Sequence, residues 1–181
     1  MTDEKTVQIS GTTNRYQINK LKKEPKCIKL RKATEKMGLP EEYFLLENQS
    51  AIIKDLFHET QNMIEPQYNK MIINQLESKL QNYKQQDVLK KRYDENKFIQ
   101  LTEVISYLYN CQLECYYCKE SLLILYDIVR ATKQWTLDRI DNDLGHNSDN
   151  VIISCLDCNL KRRKRGKDAF LFTKQLNIVK N

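Results

Sequence analysis

Two C-x2-C pairs, Cys115/Cys118 and Cys155/Cys158, constrain this chain more than any other feature of its 181 residues. Each pair bends the backbone so that two thiolates aim at one point, and two pairs supply the four ligands of a tetrahedral structural zinc site. The 36 residues between Cys118 and Cys155 exceed the spacing of a simple zinc ribbon. The metal would therefore close a loop holding a whole hairpin, which raises its structural value. Four thiolates leave no position for water, so the expected zinc is structural; unligated thiols are the alternative. Cys27 and Cys111 fall outside the pairs and read as ordinary structural residues. The start of the chain lacks the basic and apolar runs of a signal peptide, and no apolar stretch approaches the roughly 18 residues of a membrane span. The expectation is a soluble intracellular protein of the cytoplasm or nucleus, with no membrane partner, in a compartment where cysteines take metal before they take disulfides.

Inside the loop, Gln134 to Asp138 reads as a strand, Asp141 to Asn150 as a polar turn containing Gly145, and Val151 to Ser154 as a returning strand of β-branched residues. A helix is predicted from Leu156 or Asp157 through Asn159, Lys161 and Arg162. Asp138 at the end of the first strand and Asn159 in the first helical turn then face each other, and offer a carboxylate and an amide oxygen to a hard divalent cation such as Mg2+.

Asp138-Arg139, Asn150 and Cys155-x2-Cys158-Asn159-x-Lys161 resemble the motif of the HNH (His-Asn-His) endonucleases, many of which set a ββα-metal finger on a frame of four cysteines. The nine-residue step from Asn150 to Asn159 matches the family's spacing, and the likeness covers roughly residues 98–165. It implies metal-dependent hydrolysis of DNA, less often RNA, with Asp138 and Asn159 as ligands of a catalytic Mg2+ or Mn2+ and Asn150 pinning the loop. Where the family carries its general-base histidine this chain has Arg139, and a guanidinium does not accept a proton at neutral pH. Asp141 and His146, both in the hairpin loop, are the candidates for that role; a histidine near its free pKa takes a proton from water at pH 7. The plain reading of His146 is a solvent-exposed loop residue. Arg139 itself either holds the scissile phosphate or forms a salt bridge with Asp141 or Asp143.

Lys161-Arg162-Arg163-Lys164-Arg165, with Lys167 beyond Gly166, follows the motif. These six cations are the expected phosphate-binding residues, with a solvated helix end or a nuclear-targeting signal as alternatives. The Tyr116-Tyr117 pair reads as packing. Asp168 is positioned to cap a last helix whose apolar face carries Phe170, Leu171, Phe172, Leu176 and Ile178.

Upstream, few glycines and prolines and 30% charged residues point to helix. Residues 1–40 form a basic, partly disordered arm, either a solvated leader or a phosphate-tracking segment. Residues 41–97 form a helical region, with a helix from Glu41 that Asn48 to Ser50 interrupt and a long amphipathic helix from Tyr68 to Lys91. Residues 98–181 complete the chain as an HNH-like zinc domain. His58 reads as structural. The expected class is mainly α with a small ββα-metal finger, an α+β arrangement. The leading function is an HNH-type DNA endonuclease; the alternatives are a catalytically inactive HNH-derived DNA-binding or scaffold protein and an adaptor acting through the helical region. That region also offers a homodimer surface.

Overall fold

The computed structural model describes residues 29–31 and 38–175. Most of the basic arm (Arg15, Lys20, Lys22, Lys23, Lys26, Lys32 and Lys36), Cys27, Leu176 and Ile178 lie outside the described residues. About half of the described residues are helical, and the sheet among them is a single antiparallel pair, an α+β arrangement.

A 3-10 turn over Glu41–Phe44 leads into α1, Leu46–His58. The break between them falls at Leu45; Asn48 to Ser50, expected to interrupt the helix, lie inside α1. Buried Gln49 explains why a polar residue is held there. Its Nε2 donates to the Tyr43 carbonyl at 2.8 Å, and its Oε1 accepts from the Ile124 and Leu125 N–H groups at 2.8 and 3.0 Å. A buried amide with every group partnered fastens the helical region to the segment between the cysteine pairs. Asp55 closes the turn after α1 by accepting from Met63 N–H at 2.6 Å and Ile64 N–H at 3.0 Å.

Pro66 opens α2, Pro66–Leu89, at a position where its missing N–H costs nothing. Its buried stripe is Ile72, Leu76 and Leu80, continued by half-buried Tyr83 and ending on buried Asp87. After a bend, α3, Leu101–Asn110, enters through a Gln100/Glu103 capping box and packs on α1. The chain then makes the first cysteine knuckle and reaches β1, Trp135–Arg139, which pairs with β2, Val151–Cys155, in the register Trp135↔Cys155 to Arg139↔Val151. Short helix α4, Leu156–Arg162, follows at once. Last comes α5, Lys167–Gln175, with Asp168 inside its first turn rather than at the cap; Phe170 is buried against Tyr117 while Phe172 stays exposed.

α2 backs β1. Lys79 donates to the Trp135 carbonyl and to Gln134 Oε1, Leu137 N–H donates to the Tyr83 hydroxyl at 3.2 Å, and Asp87 takes the N–H of His146 at 2.6 Å. Residues four apart on one helix face thus follow the hairpin from its start to its loop. Ile72, Leu76, Val104, Leu108, Leu122, Trp135, Leu137 and Ile153 belong to one continuous buried cluster. Of the arm, Lys29 to Arg31 and Gly38 to Pro40 are described. Leu30 bridges Ile128, and the Arg31 guanidinium donates to the Tyr126 carbonyl at 3.0 Å.

Candidate functional site

The Sγ atoms of Cys115, Cys118, Cys155 and Cys158 lie within 4.8 Å of one another. A zinc ion bonded to four sulfurs at about 2.3 Å requires S···S separations near 3.8 Å; Cys118 and Cys155 stand at 3.9 Å. Backbone donors already face the sulfurs, with Cys155 N–H on Cys115 Sγ at 3.2 Å and Cys158 N–H on Cys155 Sγ at 3.3 Å. The hydrogen bond from Cys155 lowers the Cys115 thiol to about 5 and raises its own donor, while burial and the Cys115 charge push Cys158 up to about 12. One thiolate in this cluster opposes the next, and a dication is what allows all four to ionise. The donor set fits a metal ion such as zinc. Cys111 is apart, donating to the Leu108 carbonyl at 3.4 Å.

The hairpin rises from this cluster and carries the motif residues at its far end. Thr136 and Asp138 share one face of β1, and Asn159 and Arg162, three apart on α4, meet that face. Asn159 Nδ2 donates to Thr136 Oγ1 at 3.2 Å. Asp138 is buried, and its carboxylate is engaged: Oδ1 accepts from Arg162 at 2.7 Å, and Oδ2 accepts from Arg162 Nε at 2.7 Å and from the Tyr117 hydroxyl at 2.8 Å. Arg162 is therefore not on the surface with its basic neighbours. It is 1% exposed and reaches further, to the carbonyls of Arg139 and Arg165 at 2.6 Å each and to Asn142 Oδ1 at 3.3 Å. Tyr117, expected only to pack, also supplies a polar contact. Burial and then the Asp138 charge push its phenol well above the usual range.

The loop is held from within and from outside. Asn150 accepts from Asp141 N–H at 2.9 Å and donates to the carbonyls of Asp141 and Gly145 at 3.0 and 2.9 Å, so one amide fixes both limbs. Asp141 is exposed and also accepts from Asp143 N–H. His146, expected at the surface, is buried: its Nδ1 lies 2.9 Å from each oxygen of Asp87, and Tyr83 packs on its ring at 4.6 Å. Burial lowers the His146 pKa below the ordinary value against the upward pull of Asp87. Arg139 bonds the Leu144 carbonyl at 3.0 Å, and Asp143 pairs instead with Arg92 at 3.3 Å. Burial and then the Arg92 charge push the Arg139 pKa down, the mark of cations gathered together. Lys161, Arg163, Lys164 and Arg165 are exposed, and Lys167 is half-buried.

Sequence reasoning missed Asp87, Tyr117 and the inward course of Arg162. Signals for two of them existed. Asp87 continues the spacing of Ile72, Leu76, Leu80 and Tyr83, which places it on the buried face of α2, and Arg162 is in helical phase with Cys155, Cys158 and Asn159. No helix among the described residues is long and apolar enough to cross a membrane. No known protein family, curated protein or solved structure matches the chain.

Proposed function

We propose that this chain is a DNA-acting protein of the HNH type, in which a zinc-stapled ββα finger presents the end of β1, the hairpin loop and the first turn of α4 to the sugar-phosphate backbone. The observation that carries it is that Asp138, Asn150 and Asn159 fall on β1, at the end of the hairpin loop and on α4 of one hairpin-and-helix unit whose Cys155 and Cys158 belong to the four converging sulfurs. The resemblance attaches one activity to that placement, phosphodiester hydrolysis with Mg2+ or Mn2+, on DNA and less often RNA.

A second reading, DNA binding without cleavage, is favoured by the Asp138–Arg162 pair. A hard dication wants available carboxylate oxygens, and both oxygens of Asp138 are taken by Arg162 and Tyr117. In this arrangement Asp138 does not suit such an ion. Arg139 is a cation and takes no proton at neutral pH, and His146, held by Asp87 through Nδ1, is only 4% exposed, so its Nε2 has little access to a substrate water. Binding without cleavage is the reading that these side chains support best. Supercoiled-plasmid cleavage and duplex binding, measured on the zinc-loaded chain, separate the two. Binding with no nicking in Mg2+ or Mn2+ is the expected result; nicking that disappears in Asp138→Ala and Asn159→Ala at matched zinc content establishes the nuclease instead. No affinity for DNA at low salt overturns both.

A further inference from the structure

A cleft of about 690 Å³ opens beside the hairpin loop, lined by the cations Lys90, Arg92, Arg139, Arg163, Lys164 and Arg165 against the carboxylates Asp141 and Asp143. Three separate stretches of chain supply these cations: the turn after α2, the end of β1 and the turn after α4. Only the last two belong to the finger.

The turn that carries Lys90 and Arg92 is fixed to the finger by two independent devices. Asp87, one turn before it, holds His146 through backbone and ring, and Arg92 N–H returns to the Asp87 carbonyl at 2.8 Å. Gly145 lies so close that a Cβ there would meet the Arg92 carbonyl at 2.5 Å and Asp87 Oδ2 at 3.0 Å. On the opposite wall, Arg163 takes a left-handed φ of 55°, and Arg162 ties the Arg165 and Arg139 carbonyls together from beneath. The backbone of both turns is set before any ligand arrives, which lowers the cost of ordering the cations on binding.

We propose that Lys90 and Arg92 of the helical region and Arg163 to Arg165 of the finger form a two-walled clamp on the phosphate backbone of duplex DNA. This rests on the DNA-acting reading and extends it to residues that lie outside the ββα motif. Six cations from three segments around one groove match a polyanion, and the two exposed carboxylates tune it, Asp143 by holding Arg92 in the free protein. Contacts of this kind release counterions, so affinity falls steeply with salt, by about 0.9 in logarithmic slope per phosphate neutralised.

The test is fluorescence anisotropy on a short mixed-sequence DNA duplex with the full, zinc-loaded chain between about 50 and 200 mM salt. Lys90→Ala/Arg92→Ala should make the salt slope shallower by about 2 and shrink the loss of affinity over that range by about tenfold. Lys54→Ala/Lys70→Ala, which removes the same charge from exposed sites elsewhere, should match the native chain. Asp143→Asn frees Arg92 and removes a repulsive carboxylate, so it should tighten binding several-fold, a gain that misfolding does not produce. If Arg163→Ala/Arg165→Ala weakens binding while Lys90→Ala/Arg92→Ala and Asp143→Asn leave it unchanged, the clamp is wrong and the finger binds alone. If the native chain shows no affinity at low salt, the DNA-acting reading itself is lost.

Discussion

The two ends of the β1–β2 hairpin are held by opposite means. At the start, Trp135 pairs with Cys155 beside four converging sulfurs that could hold a metal ion such as zinc, a cation that would offset their mutual repulsion on ionising. At the loop end, every constraint is internal: Asn150 spans the loop, Asp87 holds His146, and Arg162 joins Asp138, Arg139, Asn142 and Arg165. The first end has the geometry to take a metal staple and the second is a preformed polar lattice. The hairpin residues that face the cleft are on the preformed end, so a metal bound at the sulfurs would act on them at a distance, by holding the frame on which the lattice is built.

The largest way to break this contrast is to remove the staple. Structural zinc binding contributes folding free energy on the order of 10 kcal/mol, so Cys115→Ser or chelation should unfasten the hairpin. Trp135 is the only tryptophan and is 1% exposed next to Cys155, so its emission should shift to the red as zinc leaves. An unchanged spectrum would show that the sulfur end stands without metal. Next is Arg162→Ala, which strands the Asp138 carboxylate in a buried site and should cost about 3–5 kcal/mol by denaturant unfolding. A loss below about 1 kcal/mol would place the guanidinium at the surface after all. Asp87→Ala leaves two His146 donors unpaired and should cost about 1–3 kcal/mol. It should also loosen the Gly145–Arg92 approach and weaken DNA binding, with the zinc content unchanged.

The smallest effect is a pH dependence at the loop end. Burial holds the folded His146 pKa below the ordinary 6.5, so the unfolded chain binds the extra proton first. Stability is fully present above pH 6.5 and declines as pH falls from there toward the folded value, by at most about 1.4 kcal/mol per pH unit. His146→Gln should flatten that limb of the stability profile. A limb of equal slope in the variant would assign the titration elsewhere.

Much of the frame was legible in the sequence because its signals are local. Two C-x2-C pairs announce the sulfur cluster, the β-branched run Val151 to Ile153 gives the returning strand, and Pro66 marks the start of α2 within two residues of the expected Tyr68. What escaped depends on contacts between distant segments. Asp87 and His146 are 59 positions apart, and nothing near His146 tells that a carboxylate will bury it. Arg162 was hidden by company: in a run of five cations composition suggests a uniform surface, and only helical phase reveals that one of them points inward to Asp138. Lys90 and Arg92 carry no motif at all; they reach the cleft because α2 runs the length of β1.

The most direct measurement of the central claim, a metal-stapled finger, is the metal content of the chain purified without added chelator, followed with Trp135 emission as the metal is withdrawn. About one zinc per chain, lost together with the buried tryptophan signal, is the predicted result. A metal-free protein with the same emission before and after chelation would contradict it, and with it the frame on which the motif residues and the basic cleft are built.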